Sequence, residues 1–249
     1  MTENINYRFK DLCIEGNLEK VKQFYFYNPT IDISADNEFF FKTACTYKSL
    51  EVAKWLLEVK PDINISADDE YAFQTACIYG HLEVAKWLLE VKPDINISTN
   101  NEIAFIFSCK NGQLNVAKWL LEVKPDINIS ANNDFAFRFA CCYGHLKVAK
   151  WLLEVKPNIN ISADNEYAFQ TACKYGHLKV AKLLLEVKPN INISAKNKNA
   201  FKLSCENGHL KVAKLLLQYK TQNYYIFAKK NKIYNKKFYN KNQKIAKQI

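Results

Sequence analysis

Four pairs of residues in this chain carry metal-binding side chains at a metal-binding offset. They are Cys77 and His81, Cys141 and His145, Cys173 and His177, and Cys205 and His209. On one continuous helix, residues four apart share a face and can hold the same zinc ion. Here a glycine stands between the members of every pair, at Gly80, Gly144, Gly176 and Gly208, and glycine in the left-handed conformation ends a helix cheaply. The pairs also recur at multiples of 32 residues, so they fall in successive layers and do not converge on one ion. No metal is expected. Cys142 lies outside this ladder, on what reads as the exposed arc of its helix, which makes it a candidate reactive thiol, although no neighbour in sequence supplies an activating base.

Other chemistry is equally hard to place. Each of the six glycines is isolated, so no phosphate-cradling loop can form, and no serine-nucleophile motif, carboxylate pair or cofactor fingerprint is present. The expectation is a non-enzymatic protein with no cofactor and no small-molecule substrate.

The elements behind these residues are repeated. Pro29, Pro61, Pro93, Pro125, Pro157 and Pro189 step by 32, as do Trp55, Trp87, Trp119 and Trp151, and seven of the eight cysteines from Cys13 to Cys205. A period in the range of about 20 to 50 residues means a stacked array of small units. Cysteines in one column then sit in layers roughly 10 Å apart, too far for the Cα separation of about 4.4 to 6.8 Å that a disulfide needs. They read as small buried apolar side chains in an intracellular, reducing compartment. Apolar residues make up 49% of the chain, which excludes a disordered polymer. Every helix-like run carries Lys or Glu, so no membrane span is expected. The opening MTENINYRFKDL lacks the apolar core of a secretory signal.

One period, residues 68–99, shows the unit. Phe73, Ala76 and Cys77 share one helical face, and Tyr71, Thr75, Ile78 and Tyr79 share another. After Gly80 a second helix presents Leu82, Val84, Ala85, Trp87, Leu88 and Leu89 over a broad arc. Pro93 and the Asp94, Asn96 and Ser98 that follow favour an extended loop. The segment GHLEVAKWLLEVKPDIN resembles the ankyrin repeat, with departures: Tyr71-Ala72-Phe73-Gln74 replaces the family's usual Thr-Pro-Leu-His, the period is 32 and not 33, and Lys92 stands where glycine is common. The resemblance implies an all-α, ankyrin-type α-solenoid of stacked helix-turn-helix repeats with extended loops. Its units are a capping repeat at 4–35, repeats at 36–67, 68–99, 100–131, 132–163, 164–195 and 196–220, and a basic segment at 221–249. In that last segment Lys244-Ile245-Ala246-Lys247 echoes Lys211-Val212-Ala213-Lys214, so it reads as either a degenerate cap or a frayed tail.

The resemblance further implies that a partner protein binds the concave face formed by first helices and loop tips. The columns facing that way vary from layer to layer, which core columns do not. The candidate partner-binding residues are Tyr47, Tyr71, Ile78, Tyr79, Phe107, Lys110, Phe139, Tyr143, Lys174 and Tyr175, of the types that dominate interface energetics. Covering of adjacent helices explains the same tyrosines. The family also lends a modification to Asn64, Asn96 and Asn128, hydroxylation in the loop, against which stands a simple loop-fixing role through side-chain to backbone hydrogen bonds.

Charge is unevenly distributed. Residues 1–99 carry 10 basic and 16 acidic side chains, residues 100–220 carry 17 and 9, and residues 221–249 carry 8 and none. The basic end invites an anionic surface or nucleic acid, the second reading of function. Only Arg8 and Arg138 are arginine, so specific nucleic-acid recognition is not expected. The short period, the EVKPDINIS loops and the heavy use of Lys, Asn, Ile, Tyr and Phe resemble ankyrin-repeat proteins of large DNA viruses of amoebae. That implies action on host proteins in the host cytoplasm, without the F-box-like segment some of them carry, since the last 29 residues lack its apolar character; a monomer is expected.

Overall fold

A computed structural model describes residues 5–193 and 200–230, with side chains as far as residue 220. Of the basic segment at 221–249, expected as a degenerate cap or a frayed tail, residues 231–249 and the side chains of Tyr224, Tyr225 and Phe227 lie outside the described residues. Among these residues every regular element is a helix, and the helices fall into two compact units, Met1–Ile129 and Ser130–Ile249. Unit 1 holds α1 (Ile5–Glu15), α2 (Leu18–Tyr27), α3 (Ala35–Thr46), α4 (Leu50–Val59), α5 (Ala67–Ile78), α6 (Leu82–Val91), α7 (Thr99–Lys110) and α8 (Leu114–Val123). Unit 2 holds α9 (Ala131–Cys142), α10 (Leu146–Val155), α11 (Ala163–Lys174), α12 (Leu178–Val187), α13 (Ala200–Glu206) and α14 (Leu210–Lys230).

Odd-numbered inner helices pack on one another, α1 on α3 on α5 on α7 in unit 1 and α9 on α11 on α13 in unit 2. Their shared columns form the core. Phe9, Phe41, Phe73, Phe105, Phe137 and Phe169 are all but fully buried, as are Leu56, Leu88, Leu120, Leu152 and Leu184 of the outer helices. Burial of one such side chain contributes about 1.5 to 3 kcal/mol before ordering costs. The tryptophans join layers: Trp87 reaches Phe41 of the preceding repeat at 6.2 Å between ring centroids and Trp119 reaches Phe73 at 6.2 Å. Only Trp151 of the four is buried; Trp55, Trp87 and Trp119 keep an exposed edge. The first repeat departs from a polar cap, since Phe26 and Tyr27 on α2 are exposed.

Each inner helix from α3 to α13 ends in a Schellman turn, and α1 in a single Gly16 N–H to Leu12 O bond. At α5, Gly80 N–H donates to Cys77 O at 3.1 Å and His81 N–H to Ala76 O at 2.8 Å, with Gly80 at φ +81°. A Cβ there would meet only the amide tip of Gln113 of the next repeat, which can move aside, so it is the left-handed conformation that favours glycine. In the second repeat Lys48 takes this place at φ +65°. Lys92, by contrast, has φ −137°, so the family's glycine is not required at that position.

The entry to the inner helix is not visible in the sequence pattern. Three consecutive residues take positive φ at 36–38, 68–70, 100–102, 132–134 and 164–166, with φ between 52° and 67°. The first two are always Asp or Asn, which tolerate this region best. The third is Glu38, Glu70, Glu102, Asp134 or Glu166, a buried carboxylate. Each accepts a hydrogen bond from the backbone N–H of the loop 26 residues on: Asn64, Asn96, Asn128, Asn160 and Asn192, at 3.1 to 3.2 Å. The left-handed turn thus aims a carboxylate at the next loop, and this bond offsets the turn's strain.

Candidate functional site

In unit 1 the inner helices leave a groove of about 440 Å³ lined by Lys10, Ile14, Phe39, Lys42, Thr43, Thr46, Tyr47, Tyr71 and Tyr79. It collects three of the expected residues. Tyr47 and Tyr79 follow the last turns of α3 and α5, whose Schellman turns fix their direction, and both are 54% exposed; Tyr71 on α5 is 44% exposed. The wall between them is built, not loose. Thr46 Oγ1 lies 2.9 Å from Thr75 Oγ1, which takes Thr75 out of the exposed arc expected for it. Lys42 pairs with Asp68 of the next repeat and lies 5.8 Å over the Tyr71 ring. That ammonium holds the Asp68 carboxyl below its ordinary pKa, chiefly through their hydrogen bond. Phe39, Lys42 and Lys10 were missed in the sequence because their roles depend on the neighbouring repeat.

The other candidates fall elsewhere. Ile78 is half-buried and is not in the groove. Lys110 Nζ lies 4.7 Å from the Phe107 ring centroid on α7, so these two form a cation–π pair with each other. In unit 2, Phe139 stacks on Phe135 at 3.9 Å and meets Tyr167 at 5.6 Å, while Arg138 spans Phe135 and Tyr167, each at 5.5 Å, and bonds Asp164 at 3.2 Å. Here Phe139 largely covers its neighbours. Tyr143 and Tyr175 stay exposed, with Lys174 Nζ 5.0 Å from the Tyr175 ring.

Cys142 is not an exposed thiol: it is 6% exposed. Its own helix leaves that arc open, but the side chain of Tyr167 on the adjacent repeat lies beside it. Cys205 errs the other way and is exposed; it stands on α13, the last inner helix described. The remaining ladder thiols are buried and free, and burial raises the pKa of Cys13 and Cys173 to about 12. No group of three His, Cys, Asp or Glu among the described residues could hold a metal ion. The turn histidines instead tie layers together. His81 Nε2 is 3.0 Å from Thr46 O, and burial lowers the pKa of His81 and His177. The loop asparagines act as turn-fixing groups: Asn64, Asn96 and Asn160 Oδ1 each accept the N–H of the serine two residues on, at 3.2 Å.

No helix among the described residues is long and apolar enough to cross a membrane. No curated protein matches the chain, and no homologue supports the resemblance to viral proteins. The family described as Ankyrin repeats (3 copies) matches residues 11–101, 92–163 and 138–227. Repeats of this kind generally mediate protein–protein interaction and are typically non-enzymatic scaffolds. Helix pairs at a 32-residue spacing, glycine-ended inner helices and that match over most of the sequence agree: the chain belongs to the ankyrin-repeat family.

Proposed function

We propose that unit 1 is a protein-interaction module that seats an apolar or aromatic side chain of a partner protein in the groove between Tyr47, Tyr71 and Tyr79. The supporting observation is that three large amphipathic rings from two successive inner helices are held half-exposed around one cavity, at positions the core does not need. Tyrosine offers broad contact area for little lost rotamer entropy, and the groove has the size of a small recognition site. Tyr143, Lys174 and Tyr175 offer a second surface of the same kind within unit 2. Free, buried cysteines suit a reducing compartment, and the viral resemblance supports a partner drawn from a host cell, met by a monomer.

The test is proximity labelling in the native cell with the parent chain and a Tyr47→Ala, Tyr71→Ala, Tyr79→Ala variant. Loss of a discrete protein from the labelled set is the expected result. Capture of an unchanged set overturns the assignment of this face.

A further inference from the structure

The lysines of α10, α12 and α14 lack the carboxylates that neutralise their counterparts on α4 and α6, a change already begun on α8, where Asn115 precedes Lys118. On α4 and α6, Glu51 pairs with Lys54 at 3.0 Å and Glu83 with Lys86 at 3.9 Å. In the loops, Lys60, Lys92 and Lys124 pair with Asp62, Asp94 and Asp126 at 2.8 to 2.9 Å. The same columns of unit 2 read Lys147, Lys179 and Lys211 in place of the glutamates, and Asn158 and Asn190 in place of the aspartates.

Lys147, Lys150, Lys179, Lys182 and Lys211 are exposed and Lys214 half-buried. Among the described residues none of these six ammonium groups makes an ion pair or hydrogen bond. α10 packs beside α12 and α12 beside α14. The lysine pairs therefore form a grid, about 5 to 6 Å apart along each helix and about 8 to 10 Å from helix to helix. Glu154 and Glu186 are the acids a turn beyond it, and Gln218 takes their place on α14. Lysine in a first helical turn also opposes the positive end of the helix dipole, so local stability favours the glutamates of unit 1. A choice that runs against local stability in three successive repeats points to a ligand.

We propose that this grid docks unit 2 on an anionic bilayer surface. Its charges are spread over three helices as compact ammonium groups, which suits a diffuse plane of phosphate and carboxylate headgroups. Among the described residues it lacks what nucleic acid would use: Arg138 is buried and bonded to Asp164, and the exposed aromatics described in the unit, Tyr143 and Tyr175, follow the inner helices. The grid is on different helices from the groove, so the two proposals stand or fall separately.

The experiment is co-sedimentation of the full chain with phosphatidylcholine vesicles, plain or carrying about 30% phosphatidylserine. The parent binds only the anionic vesicles, and added salt weakens it. A variant with Lys147→Glu, Lys179→Glu and Lys211→Glu, the residue type the chain itself uses at Glu51 and Glu83, binds at least roughly a hundredfold more weakly, since each lysine is worth roughly fivefold. Its melting temperature is unchanged or higher. The corresponding glutamine variant shows an intermediate loss and guards against a folding defect. No vesicle binding by the parent, undiminished binding by the glutamate variant, or tighter binding of the parent to a single-stranded oligonucleotide or to polyglutamate at equal ionic strength would each overturn the proposal.

Discussion

Glu102 is where left-handed backbone and loop attachment can be separated by substitution. It is 7% exposed, has φ +67°, accepts Asn128 N–H at 3.1 Å through one oxygen and receives Ser98 Oγ–H at 2.8 Å on the other. Alanine deletes both bonds and keeps the strain, so Glu102→Ala costs about 2 to 4 kcal/mol, the range for bonds to a charged, largely buried acceptor. Glycine deletes the same bonds but relieves the left-handed conformation by about 1 kcal/mol, giving a net cost of about 1 to 3 kcal/mol. Glutamine keeps one acceptor oxygen and costs about 1 kcal/mol. Urea unfolding followed by far-ultraviolet circular dichroism should rank the proteins parent, Gln, Gly, Ala. Because a repeat array can unfold in parts, hydrogen exchange at residues 126–130 is the sharper readout, and the order should be the same there. A glycine variant no more stable than alanine would refute the left-handed turn; a glutamine variant as weak as alanine would refute the hydrogen bonds.

Three further outcomes follow from the turns and the ladder. Lys48→Gly should stabilise the chain by about 1 kcal/mol in thermal melts, because among the described residues Lys48 alone of the non-glycine residues occupies a Schellman position at positive φ; destabilisation would mean the turn is formed differently. Burial depresses the folded pKa of His81 and His177, so the unfolded chain takes up protons first: their contribution is intact above about pH 6.5 and declines as pH falls through that range toward the folded values. His81→Gln, the residue type at Gln113, should therefore flatten the fall in stability between about pH 7 and pH 5, and an unchanged slope would count against this origin. In native protein a thiol reagent should modify Cys205 rapidly and the seven buried cysteines only after unfolding; fast reaction at Cys142 would contradict its packing beside Tyr167.

What could be read from sequence was whatever repeats within one layer. The Phe, Leu and Cys columns of the core, the glycine stop before the second helix and the impossibility of ladder disulfides all follow from a 32-residue period and helical geometry. What escaped depends on the next layer. Cys142 looks exposed on its own helix and is buried beside Tyr167; Thr75 is taken from the open face by Thr46; Lys42 and Arg138 find Asp68 and Asp164, each 26 residues away. The left-handed entry turns escaped for another reason. An Asx-rich stretch signals a turn, but single residues, not three in succession, are the usual visitors to that region, and only the carboxylate bonds to Asn64, Asn96, Asn128, Asn160 and Asn192 account for it. The groove was half legible: the variable Tyr47 and Tyr79 column marked it, while Phe39 and Lys10, one period before Tyr71 and Lys42, line it only together with the neighbouring repeat.

The central functional claim is that the inner-helix face of unit 1 receives the partner. Once a labelled protein has been purified, hydrogen–deuterium exchange of its complex with this chain tests that claim directly. Exchange should slow in peptides covering residues 39–47 and 71–79, with α4 and α6 unaffected; protection of α4 and α6 with the groove left as exchangeable as in the free chain would contradict it.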